Sequence, residues 1–163
     1  MGHMWDTVEE VLDYAILEER QAVFMYRAFA GKAATPELRQ LFQALVDEEK
    51  LHFEKLLKVR KASDATVAEG SLSKLPKPKK VRVPADGLVD AAAAYRFAIR
   101  AEKSAWELYW VFSQMVKEPK IRKTFEFLAA EELKHREMLG AALKARQSPK
   151  GLFKGLIRLF RKK

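Results

Sequence analysis

Residues 15–56 and 98–139 are two copies of one pattern, offset by 83 positions without a gap. Ala15, Ile16, Glu19, Ala22, Tyr26 and Phe29 recur as Ala98, Ile99, Glu102, Ala105, Tyr109 and Phe112. Pro36, Arg39, Phe42, Leu45, Glu48, Glu49, His52, Glu54 and Leu56 recur as Pro119, Arg122, Phe125, Leu128, Glu131, Glu132, His135, Glu137 and Leu139. Fifteen identities in forty-two aligned positions exceed chance matching, so the chain is built from two equivalent units. Two equivalent units pack most simply about an approximate two-fold axis.

Each unit reads as a helical hairpin. Thr7 and Glu10 form a capping box at the start of the first helix. Apolar or small residues follow at Val8, Val11, Leu12, Ala15, Ile16, Ala22, Val23, Phe29 and Ala30, which is helical periodicity. Residues 31–34 end this helix, and Thr35-Pro36 starts a second that runs to about Ala62, with Leu38, Leu41, Phe42, Leu45, Leu56 and Val59 facing inward. So short a loop makes the two helices antiparallel neighbours. A third helix is expected from near Asp90, or from as early as Asp86, to about Lys117, with Tyr95, Ala98, Ile99, Ala105, Trp106, Tyr109 and Phe112 on its inner face. Lys117-Glu118-Pro119 breaks the chain, and a fourth helix carrying Ile121, Phe125, Leu128, Leu139 and Ala142 runs to Ser148-Pro149.

The repeated polar residues fall inside these apolar stripes. Glu19 and Glu102 interrupt the first and third helices, and Glu49-x-x-His52 and Glu132-x-x-His135 fill gaps in the second and fourth. A Glu and a His three apart share one helix face and can hold one metal ion together. Two such pairs plus two further carboxylates are the donor inventory of a dinuclear carboxylate site inside a four-helix bundle. Four carboxylates with no Lys or Arg in the stripes repel one another, and two divalent cations neutralise them. The spacing favours Glu49 and Glu132 as ligands over their neighbours Glu48 and Glu131, which are left for contacts to the ligands or surface ion pairs. Tyr26 and Tyr109 follow Glu19 and Glu102 by two turns, where their phenols can bond ligating carboxylates, supply an electron, or serve as ordinary core tyrosines. Trp106, opposite Val23 in the repeat, breaks the symmetry.

Composition narrows the chemistry. With no cysteine, disulfides, thiolate nucleophiles, zinc ribbons and iron–sulfur clusters are excluded, so any metal is held by oxygen and nitrogen. The net charge of +9 points to a polyanion partner only if it is evenly spread. It is not: residues 70–84 carry five Lys/Arg and residues 150–163 carry six, with no acid in either, which leaves the bundle at −2 and disfavours nucleic acid as its partner. Residues 63–86 read as an extended crossover, since the prolines at 76, 78 and 84 forbid a helix interior. In residues 148–163, Leu152, Phe153, Leu156, Ile157 and Phe160 gather on one helical face, with Lys154, Arg158, Arg161 and Lys162 elsewhere. Such a tail is too short to span a bilayer; it suits an anionic membrane surface, the inner wall of a protein shell, or the bundle itself or a homodimer partner. No run of eighteen apolar residues and no signal pattern occur, so a cytoplasmic protein is expected, peripheral to a membrane or inside a protein compartment if the tail docks there. Met1-Gly2-His3-Met4 reads as a cloning remnant, and His3 is not counted as a ligand.

Ala15-Ile16-Leu17-Glu18-Glu19-Arg20, Ala98-Ile99-Arg100-Ala101-Glu102-Lys103 and the two Glu-Glu-x-x-His runs resemble the rubrerythrin group of the ferritin-like superfamily over roughly residues 7–146. The resemblance implies an all-α, ferritin-like four-helix bundle over residues 5–147, with Glu19, Glu49, His52, Glu102, Glu132 and His135 as ligands to two iron ions. Manganese suits the same donors. Two departures stand out: there are no cysteines for the rubredoxin domain of standard rubrerythrins, and Ala105 stands where they carry an additional Glu. The first removes the built-in electron donor and calls for an external one; the second removes a carboxylate tied to redox-linked ligand movement. The expected function is oxidation of ferrous iron by dioxygen or hydrogen peroxide, for peroxide detoxification or iron storage. The alternatives are a di-iron oxygenase acting on an organic substrate and a non-catalytic iron-binding module tethered by its tail.

Overall fold

A computed structural model describes residues 7–63 and 90–147. They form four helices, α1 (Val8–Gly31), α2 (Pro36–Ser63), α3 (Ala91–Met115) and α4 (Pro119–Gln147), with no strand among the described residues. The crossover expected over 63–86, apart from Ser63 at the end of α2, and the tail over 148–163 lie outside the described residues, as does the earlier start for α3 at Asp86. No helix among the described residues is long and apolar enough to cross a membrane.

The helix ends follow local chemistry. The capping box at Thr7 and Glu10 forms, with the Glu10 N–H donating to Thr7 Oγ1 over 3.2 Å and the Thr7 N–H donating to Glu10 over 3.3 Å. Both hairpin turns place a proline at the first position of the following helix and a cap before it. Thr35 Oγ1 accepts from the Leu38 N–H at 3.2 Å, and the Glu118 carboxylate accepts from the Lys120 and Ile121 N–H groups at 3.1 and 2.9 Å. Asp90 caps α3 in the same way through the Ala92 and Ala93 N–H groups. α3 ends at Met115, two residues before the expected Lys117: Val116 is already extended, and Pro119, whose ring would clash with the carbonyl four residues back, does not continue the helix.

α1 packs on α2 and α3 on α4, and the two hairpins face each other around a core in two blocks. One block contains Tyr26, Phe29, Phe42, Leu45, Ala98 and Leu139. The other contains Tyr109, Phe112, Phe125, Leu128, Ala15 and Leu56, the same positions with the halves exchanged. Ring geometry repeats as well: Phe42 lies 6.0 Å from Tyr26 and 5.2 Å from Phe29, while Phe125 lies 6.0 Å from Tyr109 and 5.3 Å from Phe112. Each fully buried Leu or Phe contributes about 1.5–3 kcal/mol, and the blocks hold the bundle on either side of a polar layer.

One buried contact breaks the repeat. Arg60 Nε donates to Asp13 Oδ1 at 2.8 Å and its Nη2 to Oδ2 at 3.4 Å, joining α1 to α2 with both residues buried. The equivalent positions in the second half are Arg96 and Leu143, so the duplication gives no hint of it.

Candidate metal centre

Between the two apolar blocks lie Glu19, Glu49, His52, Glu102, Glu132 and His135, each no more than 5% exposed. Every helix contributes a carboxylate, and α2 and α4 each add a histidine one turn later. Donor atoms of Glu19, Glu49, His52 and Glu132 lie within 4.8 Å of one another, and those of Glu49, Glu102, Glu132 and His135 do likewise. Glu49 and Glu132 belong to both groups and occupy the shared positions. Glu19 with His52, and Glu102 with His135, each belong to one.

Both imidazoles turn Nδ1 towards the carboxylates. His52 Nδ1 is 3.1 Å from Glu132, 3.3 Å from Glu49 and 3.7 Å from Glu19. His135 Nδ1 is 3.5 Å from Glu49, from Glu102 and from Glu132. The rings stack with centroids 5.6 Å apart and planes 19° from parallel.

The tyrosines reach across the molecule. Tyr109 Oη donates to Glu19 Oε1 at 2.5 Å, and Tyr26 Oη donates to Glu102 Oε1. The reason is topological: with α1 and α3 running in opposite directions across the two-fold, a residue two turns beyond Glu19 is level with Glu102, and the converse holds for Tyr109. Each half therefore supplies the phenol for the other half's carboxylate. Sequence spacing offered ligating carboxylates as partners for both phenols, but not which carboxylate each would meet.

The remaining expected positions sort themselves. Glu48 and Glu131 stay out of the two inner groups, although both bring carboxylate oxygens within 4.8 Å of a His52 donor, and Glu131 also contacts Lys134. Trp106 packs partly buried against the second apolar block with Arg136 over its ring at 5.7 Å.

Electrostatics in the layer are strongly perturbed. Burial, then repulsion from Glu49, raises the Glu19 carboxyl well above its ordinary range; burial and Glu132 do the same to Glu102. Burial also opposes ionisation of Glu132, but contacts from Glu102, His135 and His52 outweigh it and hold this carboxyl low. Glu49 likewise ends low, because His135 and His52 outweigh burial and the Glu132 charge. For His52, burial disfavours the imidazolium, yet Glu132, Glu19 and Glu49 together push it up to about 12, and Glu102, Glu132 and Glu49 raise His135 against the same burial. Burial, reinforced by Glu19, raises Tyr109 well above its ordinary value and keeps its phenol protonated.

These donors fit two divalent cations. Glu49 Oε1, Glu132 Oε1 and His135 Nδ1 are buried and make no well-aligned hydrogen bond: Glu132 Oε1 has His52 Nδ1 at 3.1 Å, and Glu49 Oε1 has His135 Nδ1 at 3.5 Å. A buried acceptor so poorly satisfied is costly, and a cation between the groups satisfies it. Four carboxylates balance the charge of two such ions, and oxygen with imidazole nitrogen suits iron, manganese or zinc.

Among the described residues, cavities touch the layer from two sides. A half-open groove of about 290 Å³ between α1 and α3 reaches Glu19, Glu49, Glu102 and Glu132 past Tyr14, Ala22, Met25, Phe97, Ala105 and Leu108. Another of about 360 Å³ between α2 and α4 reaches His52 past Glu48, Glu54, Lys55, Lys58 and Glu131.

A bundle of two antiparallel hairpins with this carboxylate–imidazole layer is a ferritin-like protein with a possible metal site. The chain belongs to the rubrerythrin family, which it matches over residues 10–93 and 95–155. A hypothetical protein from Pyrococcus furiosus is similar at 27% identity and a TM-score of 0.71, over 85% of this chain and 89% of that one. A two-domain protein from Anabaena variabilis, containing DJ-1/ThiJ/PfpI-like and ferritin-like domains, shares the fold at 19% identity and a TM-score of 0.73, over 85% of this chain and 39% of its own. No curated protein matches the chain.

Proposed function

We propose that Glu19, Glu49, His52, Glu102, Glu132 and His135 bind two iron ions, and that the protein oxidises ferrous iron with hydrogen peroxide or dioxygen in peroxide detoxification or iron storage. The observation that carries this reading is the pair of buried donor groups sharing Glu49 and Glu132, each of which keeps an oxygen without a well-aligned hydrogen bond. When bound, iron supplies one electron per ion, so a pair matches the two-electron reduction of peroxide to water. The chain's own part is to fix geometry and exclude bulk water. Glu49 and Glu132 would be shared by the two ions, Glu19 with His52 and Glu102 with His135 would complete one donor group each, and the two phenols orient the Glu19 and Glu102 carboxylates. With no cysteine in the chain for a rubredoxin-type centre, re-reduction falls to an external donor.

Stopped-flow mixing of the anaerobic ferrous protein with peroxide or with oxygenated buffer tests the reading. Oxidation faster than that of free ferrous iron at the same concentration is expected; a rate equal to the protein-free control would overturn it. Elemental analysis of protein from its native source distinguishes iron from manganese.

A further inference from the structure

The groove between α1 and α3 is larger than a diatomic oxidant requires. At about 290 Å³ it falls just below the ~300–1,000 Å³ of pockets that take drug-sized ligands. Its walls come in equivalent pairs from the two halves: Tyr14 with Phe97, Ala22 with Ala105, and Met25 with Leu108. All six are apolar or aromatic, and the carboxylates lie at the bottom. Where the first half adds Glu18 and Gln21 to the lining, the second has Ala101 and Ser104, so the α3 side is the less polar. The cavity between α2 and α4 touches the same layer at His52, where Leu51 and Phe127 share the lining with Glu48, Glu54, Lys55, Lys58 and Glu131, so among the described residues it is the more charged of the two approaches. The small residues matter most. Ala22 and Ala105 stand one turn beyond Glu19 and Glu102 on the inward side, and a longer side chain at either would project into the groove.

We propose that this groove is a binding site for a small, neutral, apolar organic molecule, one end of which rests against the layer at Glu49 and Glu132. Water is a poor occupant of the stretch walled by Ala22, Met25, Ala105 and Leu108, since an ordered water needs two to four polar partners and these four side chains supply none; Tyr14, Glu18, Gln21 and Ser104 add the polar part of the lining. A metal ion gains nothing from those walls. The proposal concerns binding alone and does not rest on the oxidase reading.

Toluene is a suitable probe. Saturation-transfer NMR titrations on the full chain, metal-free and with two equivalents of zinc, should show saturable binding of toluene. In Ala105→Leu, and independently in Ala22→Leu from the other half, affinity should fall at least about tenfold while helicity and cobalt stoichiometry match the parent. Replacing zinc by paramagnetic cobalt in the parent protein should speed relaxation of the bound toluene protons, which locates the molecule beside the layer. Non-saturable binding to the parent, unchanged binding in folded variants, or relaxation indifferent to cobalt would each overturn the site. Should the variants misfold, the zinc–cobalt comparison still decides. Failure to bind cobalt at all is read before toluene is added; it would refute the ligand set, and the metal-free titrations would still judge the groove.

Discussion

Replacing Tyr109 by Phe removes one hydroxyl and tests the crossed wiring of the centre. That hydroxyl donates to Glu19 at 2.5 Å between two buried residues at the floor of the groove between α1 and α3. A hydrogen bond to a charged group contributes about 1.5–3 kcal/mol, a factor of roughly 10–150 in binding. Partners of metal ligands of this kind change affinity by about 10–100-fold, so we expect a loss within that span. The loss should fall on one ion. Glu19 belongs to the group containing His52, so Tyr109→Phe should weaken that site and leave the site of Glu102 and His135 within about threefold. Cobalt titration by calorimetry gives both affinities, and two backgrounds assign them: the effect should persist in His135→Ala and largely vanish in His52→Ala. Tyr26→Phe should do the reverse. Equal losses at both sites, or a larger effect of Tyr109→Phe in the His52→Ala background, would refute the assignment of each phenol to the opposite half.

Glu49→Ala and His52→Ala should each bind fewer than two ions by elemental analysis of the dialysed protein, and retention of two would refute the ligand set. Metal binding should release protons, since His52, His135, Glu19 and Glu102 all hold theirs more tightly than usual in the metal-free layer. Apparent cobalt affinity should therefore rise between about pH 6 and 8, and calorimetry in buffers of different ionisation enthalpy counts the protons; a pH-independent affinity would contradict it. For the metal-free fold, the raised histidines stabilise fully below about pH 6.5 and progressively less as pH climbs towards the folded value, about 12 for His52. Its melting temperature should fall from pH 6.5 to 9 in a chelator, and a rise would mean that the histidines do not carry those protons. Asp13→Ala strands a buried guanidinium and should cost about 3 kcal/mol in urea unfolding, while the paired change Asp13→Leu with Arg60→Leu should recover most of it. A cost under about 0.5 kcal/mol for the single change would show the pair to be solvated.

The helices and the polar layer were legible in the sequence because both are local or repeated. Helical periodicity selects the buried face without knowledge of the partner, and carboxylates inside that face are anomalous wherever they occur, so Glu19 and Glu102 signalled themselves. The pairing of Glu with His three residues apart is likewise settled within one helix. What was hidden depends on the relation between helices. Tyr109 meets Glu19 across ninety residues only because α1 and α3 run in opposite directions at a particular level. Asp13 meets Arg60 near the end of a hairpin, and neither residue recurs in the second half to draw attention to it. The groove is space left between α1 and α3, and small residues at positions 22 and 105 read equally well as tight packing until the separation of those helices is known.

The pattern of conservation between the two halves also bears on whether the two ion positions are equivalent. The carboxylates, imidazoles, phenols and the aromatic rings around Phe42 and Phe125 all repeat, so the two donor groups are the same to first order. Divergence begins one residue away from them. Trp106 with Arg136 over its ring stands where the first half has Val23, and Glu131 contacts Lys134 while its counterpart Glu48 has Leu51 three residues on. The aromatic–cation neighbours of the layer therefore differ from side to side: Trp106 carries Arg136, while Phe127 beside His52 carries Lys55. Charge outside a low-dielectric site is felt inside it, so the asymmetry would bias two bound ions differently without altering either donor group. A duplicated chain can differentiate its halves in this way, which an assembly of two identical hairpins cannot.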